Sequence, residues 1–215
     1  TNSGVGGVVL FAENLESTNQ IIQLTHDLQQ TALQSKSGQP LIISIDQEGG
    51  RVVRLPQATS FAGNMAIGAT YSEHGTSYAT DTSTIIAKEL KLLGINNNYA
   101  PVIDVNTNPN NPVINTRSFG ENPQNVAKLR VAAVKGYQAQ GIMATLKHFP
   151  GHGDTHVDSH LGLPLVEHSL QTIEKNDIAP FQWAINHSAP AMIMTAHIQY
   201  PALDNSTIKN NMGED

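Results

Sequence analysis

Short continuous apolar runs alternate along this chain with stretches in which apolar residues recur every three or four positions. Residues 7–11 (GVVLF) form one run and residues 41–46 (LIISID) another, the second ending in a carboxylate; such runs suit strands covered on both faces of a sheet. Between them Ser17-x-x-Gln20 has the form of a capping box, and Ile21, Leu24, Leu28 and Ala32 follow at helical spacing. A second helix is predicted through Ile85, Ile86, Leu90 and Leu93, stopping at Gly94, before a strand at 99–104 (YAPVID) that again ends in an acid. Asn122-Pro123 then supplies an N-cap and first-turn pair for a helix carrying Val126, Leu129, Ala133 and Tyr137, closed by Gly141. The strand after it, 142–146 (IMATL), ends at Lys147-His148. A helix at 181–186 precedes a fifth strand at 191–197 (AMIMTAH).

Strands alternating with helices imply an α/β fold with a parallel sheet, either open and doubly wound or part of an eight-stranded (β/α)8 TIM-type barrel. The strand ends favour the barrel. Asp46, Asp104, Lys147 with His148, and His197 sit at the carboxyl ends of four different strands, and in barrels polar groups from many strands converge on that face. No GxGxxG or GxxxxGK loop follows the first strand, which weakens the open-sheet alternative. About five βα units do not close such a barrel. The expectation is an incomplete fragment, 1–215, whose first and last strands lie outside it; Thr1-Asn2-Ser3-Gly4 running straight into a strand, and the polar stretch at 210–215, point the same way.

Composition narrows the function. The chain has 215 residues, 39% hydrophobic and 14% charged, with a formal net charge of −6, enough for one domain with a sizeable core. An acidic balance without a basic stripe argues against nucleic acid, and no apolar run approaches the ~20 residues of a membrane span. The absence of cysteine excludes disulfide and thiolate chemistry, and is compatible with an extracytoplasmic location or a cytoplasmic one.

KHFPGHGDTHVDSH, residues 147–160, places His148, His152, His156 and His160 four apart. That spacing lines one face only of a helix, and Pro150, Gly151 and Gly153 together penalise a helix here by roughly 5 kcal/mol. The segment therefore reads as a strand end feeding a polar loop, and the histidine period is accidental.

Four blocks, IDQEGGRVVRL at 45–55, NTRSFGENP at 115–123, KHFPGHGDTHVDSH at 147–160 and MTAHIQYPALD at 194–204, together resemble glycoside hydrolase family 3, in particular its bacterial β-N-acetylglucosaminidase (beta-hexosaminidase) branch. The resemblance spans essentially the whole chain in order. It implies a retaining double displacement without a cofactor or metal, acting on an N-acetylglucosamine-containing oligosaccharide or muropeptide in cell-wall turnover, in an exported or cell-wall-associated bacterial protein. It further implies that His160 is the acid/base, paired with Asp158. An imidazole of pKa ~6.5 beside a carboxylate can donate and then accept a proton near neutral pH. By the same resemblance Asp46, Arg54, Arg117, Lys147 and His148 hold the hydroxyls of the terminal sugar. The family's nucleophile is an aspartate on the strand after the one ending at His197, beyond this chain, so the fragment alone is expected to be inactive; Asp204 matches a loop position, and Asp104 has no catalytic counterpart.

Blander readings exist for each residue. Loop histidines are usually solvated, arginines usually form surface ion pairs, and Asp46 could simply cap the turn at 47–50. His152 reads as structural within the PGHG turn, His156 as a surface residue, Asp154 as a loop cap and Glu48 as bonding within its own turn, while His197 stays open. Trp183 reads as packing rather than as a sugar platform. Three rival functions remain: a metal-dependent hydrolase using His148, His152, Asp154, Asp158 and His160; a carbohydrate-binding pseudoenzyme; and a phosphorylase, because a histidine repels incoming phosphate less than a glutamate does.

Overall fold

The computed structural model describes residues 4–55, 57–156 and 163–204. Five strands, β1 (Gly7–Leu10), β2 (Ile42–Ile45), β3 (Asn97–Asn98), β4 (Met143–Phe149) and β5 (Met192–Thr195), form one sheet in the order β1-β2-β3-β4-β5. Every pair is parallel. This order decides between the two architectures left open by the sequence: a doubly wound sheet starts in the middle and reverses direction, whereas here each strand adds beside its predecessor, as in a barrel. The sheet is a parallel half-barrel.

The helices in chain order are α1 (Thr18–Leu33), α2 (Asn64–Ala69), α3 (Tyr71–His74), α4 (Ser77–Leu92), α5 (Pro123–Ala139), α6 (Leu170–Ile173) and α7 (Ala179–Ser188), with a π-helical turn, Glu174–Ile178, between the last two. The local signals act as expected. Ser17 Oγ accepts from Gln20 N at 3.3 Å, although Gln20 reaches back to Glu16 N rather than to the cap itself. Asn122 Oδ1 accepts from both Gln124 N and Asn125 N at the start of α5. The final helix is longer than the predicted 181–186, starting at Ala179 with Pro180 in its first turn and ending at Ser188, where the left-handed Ala189 caps it by donating its N–H to Ile185 O. Successive helices pack on one another, α4 on α5 and α5 on α7. The α4–α5 contact is tight: a Cβ on Gly136 would stand 2.0 Å from Ser83 Oγ, so only glycine permits it.

Ile43, Ile45, Ala144 and Leu146 from the strands meet Ile86, Leu90, Val126, Leu129 and Val134 from the helices in one buried core, each large side chain contributing about 1.5–3 kcal/mol. Two features depart from the pattern reading. The strand expected at 99–104 pairs regularly only at Asn97–Asn98. Pro101 has no N–H to give the ladder, so 99–103 continues through separate bonds, Tyr99 N to Ile45 O, Thr145 N to Ala100 O and Ile103 N to Lys147 O. The paired residues are polar yet buried because their amides are satisfied: Asn97 bonds Ser44 and Thr145, and Asn98 bonds the backbone of Gln47 at both ends. The second is Arg130 on α5, wholly buried with no hydrogen-bond partner for its guanidinium among the described residues; burial brings its pKa down to about 9.

Candidate functional site

The carboxyl ends of the strands supply the polar groups. Asp46 follows β2 directly. Gln47, buried just after it, accepts from Arg54 N and Leu55 N through Oε1, which folds the GG-containing loop back and brings Arg54 to the same face. Asp104 ends the segment that pairs with β4 at Lys147. Lys147 and His148 lie within β4, which runs on to Phe149, so they face the sheet end from a strand rather than from its last residue. Arg117 comes from a 3₁₀ turn, Asn115–Arg117, in the loop leading to α5.

These five side chains, Asp46, Arg54, Arg117, Lys147 and His148, line one cavity of about 380 Å³, walled on another side by 194–197 at the end of β5. His197, open in the sequence reading, is part of that wall. A larger cavity, about 480 Å³, lies between α2 and the loop before α5 and contains none of the five.

The charges within the site are tightly paired. Lys147 Nζ stands 2.5 Å from Asp46 Oδ1 and 2.6 Å from Glu48 Oε1. Arg117 grips Glu48 with two bonds, Nε to Oε2 at 2.9 Å and Nη2 to Oε1 at 2.6 Å, and donates from Nη1 to Val113 O at 3.1 Å. Arg54 is 3.9 Å from Asp46 Oδ2, a charge contact rather than a hydrogen bond. Burial by itself would raise the Glu48 carboxyl, but Lys147 and Arg117 overcome it and hold its pKa below the usual range. The same carboxylate raises Arg117 against its own burial.

Glu48 corrects the sequence reading. Its turn is closed by backbone, Glu48 N to Val52 O at 3.0 Å, and its carboxylate leaves the turn to meet Arg117 and Lys147. An acid beside a Gly-Gly pair was the only local signal in the sequence, and it points equally to a cap.

A second carboxylate organises the histidines. Asp104 Oδ2 is 2.7 Å from His148 Nδ1, and Oδ1 accepts from His148 N at 3.2 Å and His152 N at 2.8 Å. Although burial raises it, the adjacent His148 and His152 bring the Asp104 pKa below normal. An ionised carboxylate only accepts, so His148 carries its proton on Nδ1, leaving Nε2 as the ring atom for a ligand. His152 is buried, its Nδ1 2.6 Å from Thr155 Oγ1, and burial lowers its pKa. His156 is exposed, within 3.2 Å of Asn108 Nδ2. Asp154 pairs with His168 Nε2 at 2.6 Å, a partner outside its own loop. Trp183 is 44% exposed and stacks on His187 at 3.7 Å, so it packs against its own helix more than into the core.

Asp158 and His160 lie outside the described residues. Among the described residues no three His, Asp or Glu side chains are grouped as ligands for a metal ion, and no helix is long and apolar enough to cross a membrane.

A singly wound parallel sheet with its charged side chains gathered at the carboxyl ends of the strands belongs to the class of (β/α) barrels that carry their site on that face. The family is narrower. Residues 1–212 match the Glycosyl hydrolase family 3 N terminal domain, and the chain belongs to that family. It is 61% identical over 212 residues to a "Beta-hexosaminidase A" of Pseudoalteromonas piscicida, a match covering 98% of this chain and 36% of that protein. Among solved structures it is similar to a glycoside hydrolase family 3 beta-N-acetylglucosaminidase from Paenibacillus sp. str. FPU-7, with 46% identity and a TM-score of 0.89 over 94% of this chain and 38% of the other. NagZ from Neisseria gonorrhoeae, solved in complex with N-trifluoroacetyl-D-glucosamine, gives 36% and 0.84, over 93% of this chain and 58% of that one. The chain therefore spans between about a third and three fifths of these relatives.

Proposed function

We propose that the protein containing this chain is a retaining exo-β-N-acetylglucosaminidase that removes terminal N-acetylglucosamine from peptidoglycan fragments. The observation that carries it is the convergence of Asp46, Arg54, Arg117, Lys147 and His148 on one cavity at the strand ends. Its volume, about 380 Å³, is near the lower end of small-molecule sites, about 300–1,000 Å³, which suits a single terminal ring held by its hydroxyls. A carboxylate with cationic donors brackets vicinal hydroxyls and fixes the ring, and such bonds lower the barrier when they tighten in the transition state. The names of the relatives support the same substrate class.

In this reading a carboxylate attacks the anomeric carbon while His160, held by Asp158, protonates the leaving oxygen; water then reverses both steps. The nucleophile is an aspartate on the strand following β5, in the part of the protein that completes the barrel. The cell-wall substrate favours an extracytoplasmic enzyme. The test is the full-length protein with an aryl β-N-acetylglucosaminide and the matching β-glucoside, the first-formed anomer followed by NMR with and without phosphate. Preferential release of β-N-acetylglucosamine is expected. Inactivity, an α-anomer first product, or a sugar phosphate formed only with phosphate present would each overturn the proposal.

A further inference from the structure

Glu48 does not line the cavity. Its side chain is 1% exposed, against 22% for Asp46 and 14% for Arg117, and it lies beneath the site facing α2 and α4, beside Ile67 and Ala79. Lys147 is nearly as covered, at 2% exposed, but it reaches the cavity wall while Glu48 does not, and Glu48 contacts two of the five side chains that line the cavity. Resting on the function proposed above, we infer that Glu48 is a positioning residue. Its carboxylate holds the Lys147 ammonium and the Arg117 guanidinium so that their remaining N–H groups are presented together to the oxygens of a bound N-acetylhexosamine.

The donor count supports this. An ammonium has three N–H donors; Asp46 and Glu48 each take one, so one is left for a ligand. Arg117 has five; two go to Glu48 and one to Val113 O, which leaves two, on the terminal nitrogens. The bidentate grip fixes the guanidinium plane, and with it the direction of those two. Glu48 also spares Asp46. With Glu48 as a second counterion for Lys147, Asp46 Oδ2 has only Arg54 among the described residues, at 3.9 Å, and is left to accept from a sugar hydroxyl. With Glu48 removed, Asp46 would face Lys147, Arg54 and Arg117 alone and be drawn into neutralising them.

A glutamine at 48 keeps the shape but loses the charge and turns an amide NH₂ toward a cation. The experiment is a double-mutant cycle in the full-length protein: wild type, Glu48→Gln, Arg117→Ala and the pair, each with kcat and KM on an aryl β-N-acetylglucosaminide, active-site concentration and Tm. Glu48→Gln in the wild-type background is expected to lower kcat/KM per active site by on the order of 100-fold, mostly through KM. With Arg117 already removed, the same change should cost under tenfold, since much of its route to the sugar is gone. Glu48→Asp, charged but one methylene short of spanning both cations, serves in the same cycle if the glutamine variant does not fold. Additive losses, or a loss confined to Tm and active fraction, would overturn the inference while leaving the proposed function standing. An inactive wild type would overturn both.

Discussion

Asp177 offers a perturbation whose sign and size follow from its surroundings. It sits in the π-helical turn before α7, with Oδ1 against Gly151, where a Cβ would stand 2.6 Å away, and with Oδ2 buried and unpartnered among the described residues. Burial, then the charges of Asp104 and Asp154, raise its pKa from 3.8 to about 7. The folded chain therefore keeps a proton that the unfolded chain gives up near pH 4. Stability from this group is fully present below pH 3.8 and is lost as pH rises to about 7, after which the loss is constant. At about 1.4 kcal/mol per pH unit the gap corresponds to about 4 kcal/mol, and partial exposure to solvent reduces this to roughly 2–4 kcal/mol. Asp177→Asn removes the titration and keeps the shape. Thermal unfolding of the full-length protein and the variant across pH 4–8 should give nearly equal Tm at the acid end and a variant higher by on the order of 2–5 °C at the alkaline end. A difference that is flat with pH, or that widens toward acid, would refute the assignment of that charge.

Three further outcomes are expected. Gly153→Ala would place a Cβ 1.7 Å from Val105 O, forcing the loop between His152 and Asp154 to shift by more than 1 Å; steady-state kinetics should show kcat lowered about 10²-fold. Arg130→Met replaces a buried, unpartnered guanidinium with an apolar chain of similar length, so denaturant unfolding should show a stabilisation of about 1–3 kcal/mol with KM unchanged. His160→Ala should slow natural substrates far more than activated aryl glycosides, whose good leaving groups need little protonation; equal losses in a side-by-side assay would count against an acid/base role.

Much of this protein was legible in one dimension. Ser17 and Asn122 announced their helices because a cap acts within three residues, and the apolar runs at 41–46 and 142–146 announced buried strands because burial on both faces demands them; the run at 7–11 announced a strand but not its burial, since β1 lies at the edge of the described sheet with Val9 37% and Phe11 49% exposed. Asp46, Lys147 and His148 could be placed at one rim because parallel strands all end on the same side. The buried asparagines of β3 were illegible, since their cost is cancelled only by partners such as Ser44 and Thr145, about 50 residues away.

Local periodicity and turn chemistry, which depend on neighbours in the chain, thus settled the long helices, the parallel sheet and the strand-end residues Asp46, Lys147 and His148, while Arg54 and Arg117 were named only by the family resemblance. Tertiary structure alone decided what Glu48 and Asp104 do. Their partners lie 69 residues away at Arg117 and 44 at His148, and an ion pair depends on which strand ends become neighbours in space. No pattern along the chain encodes that distance; the side-by-side order of β2, β3 and β4 creates it.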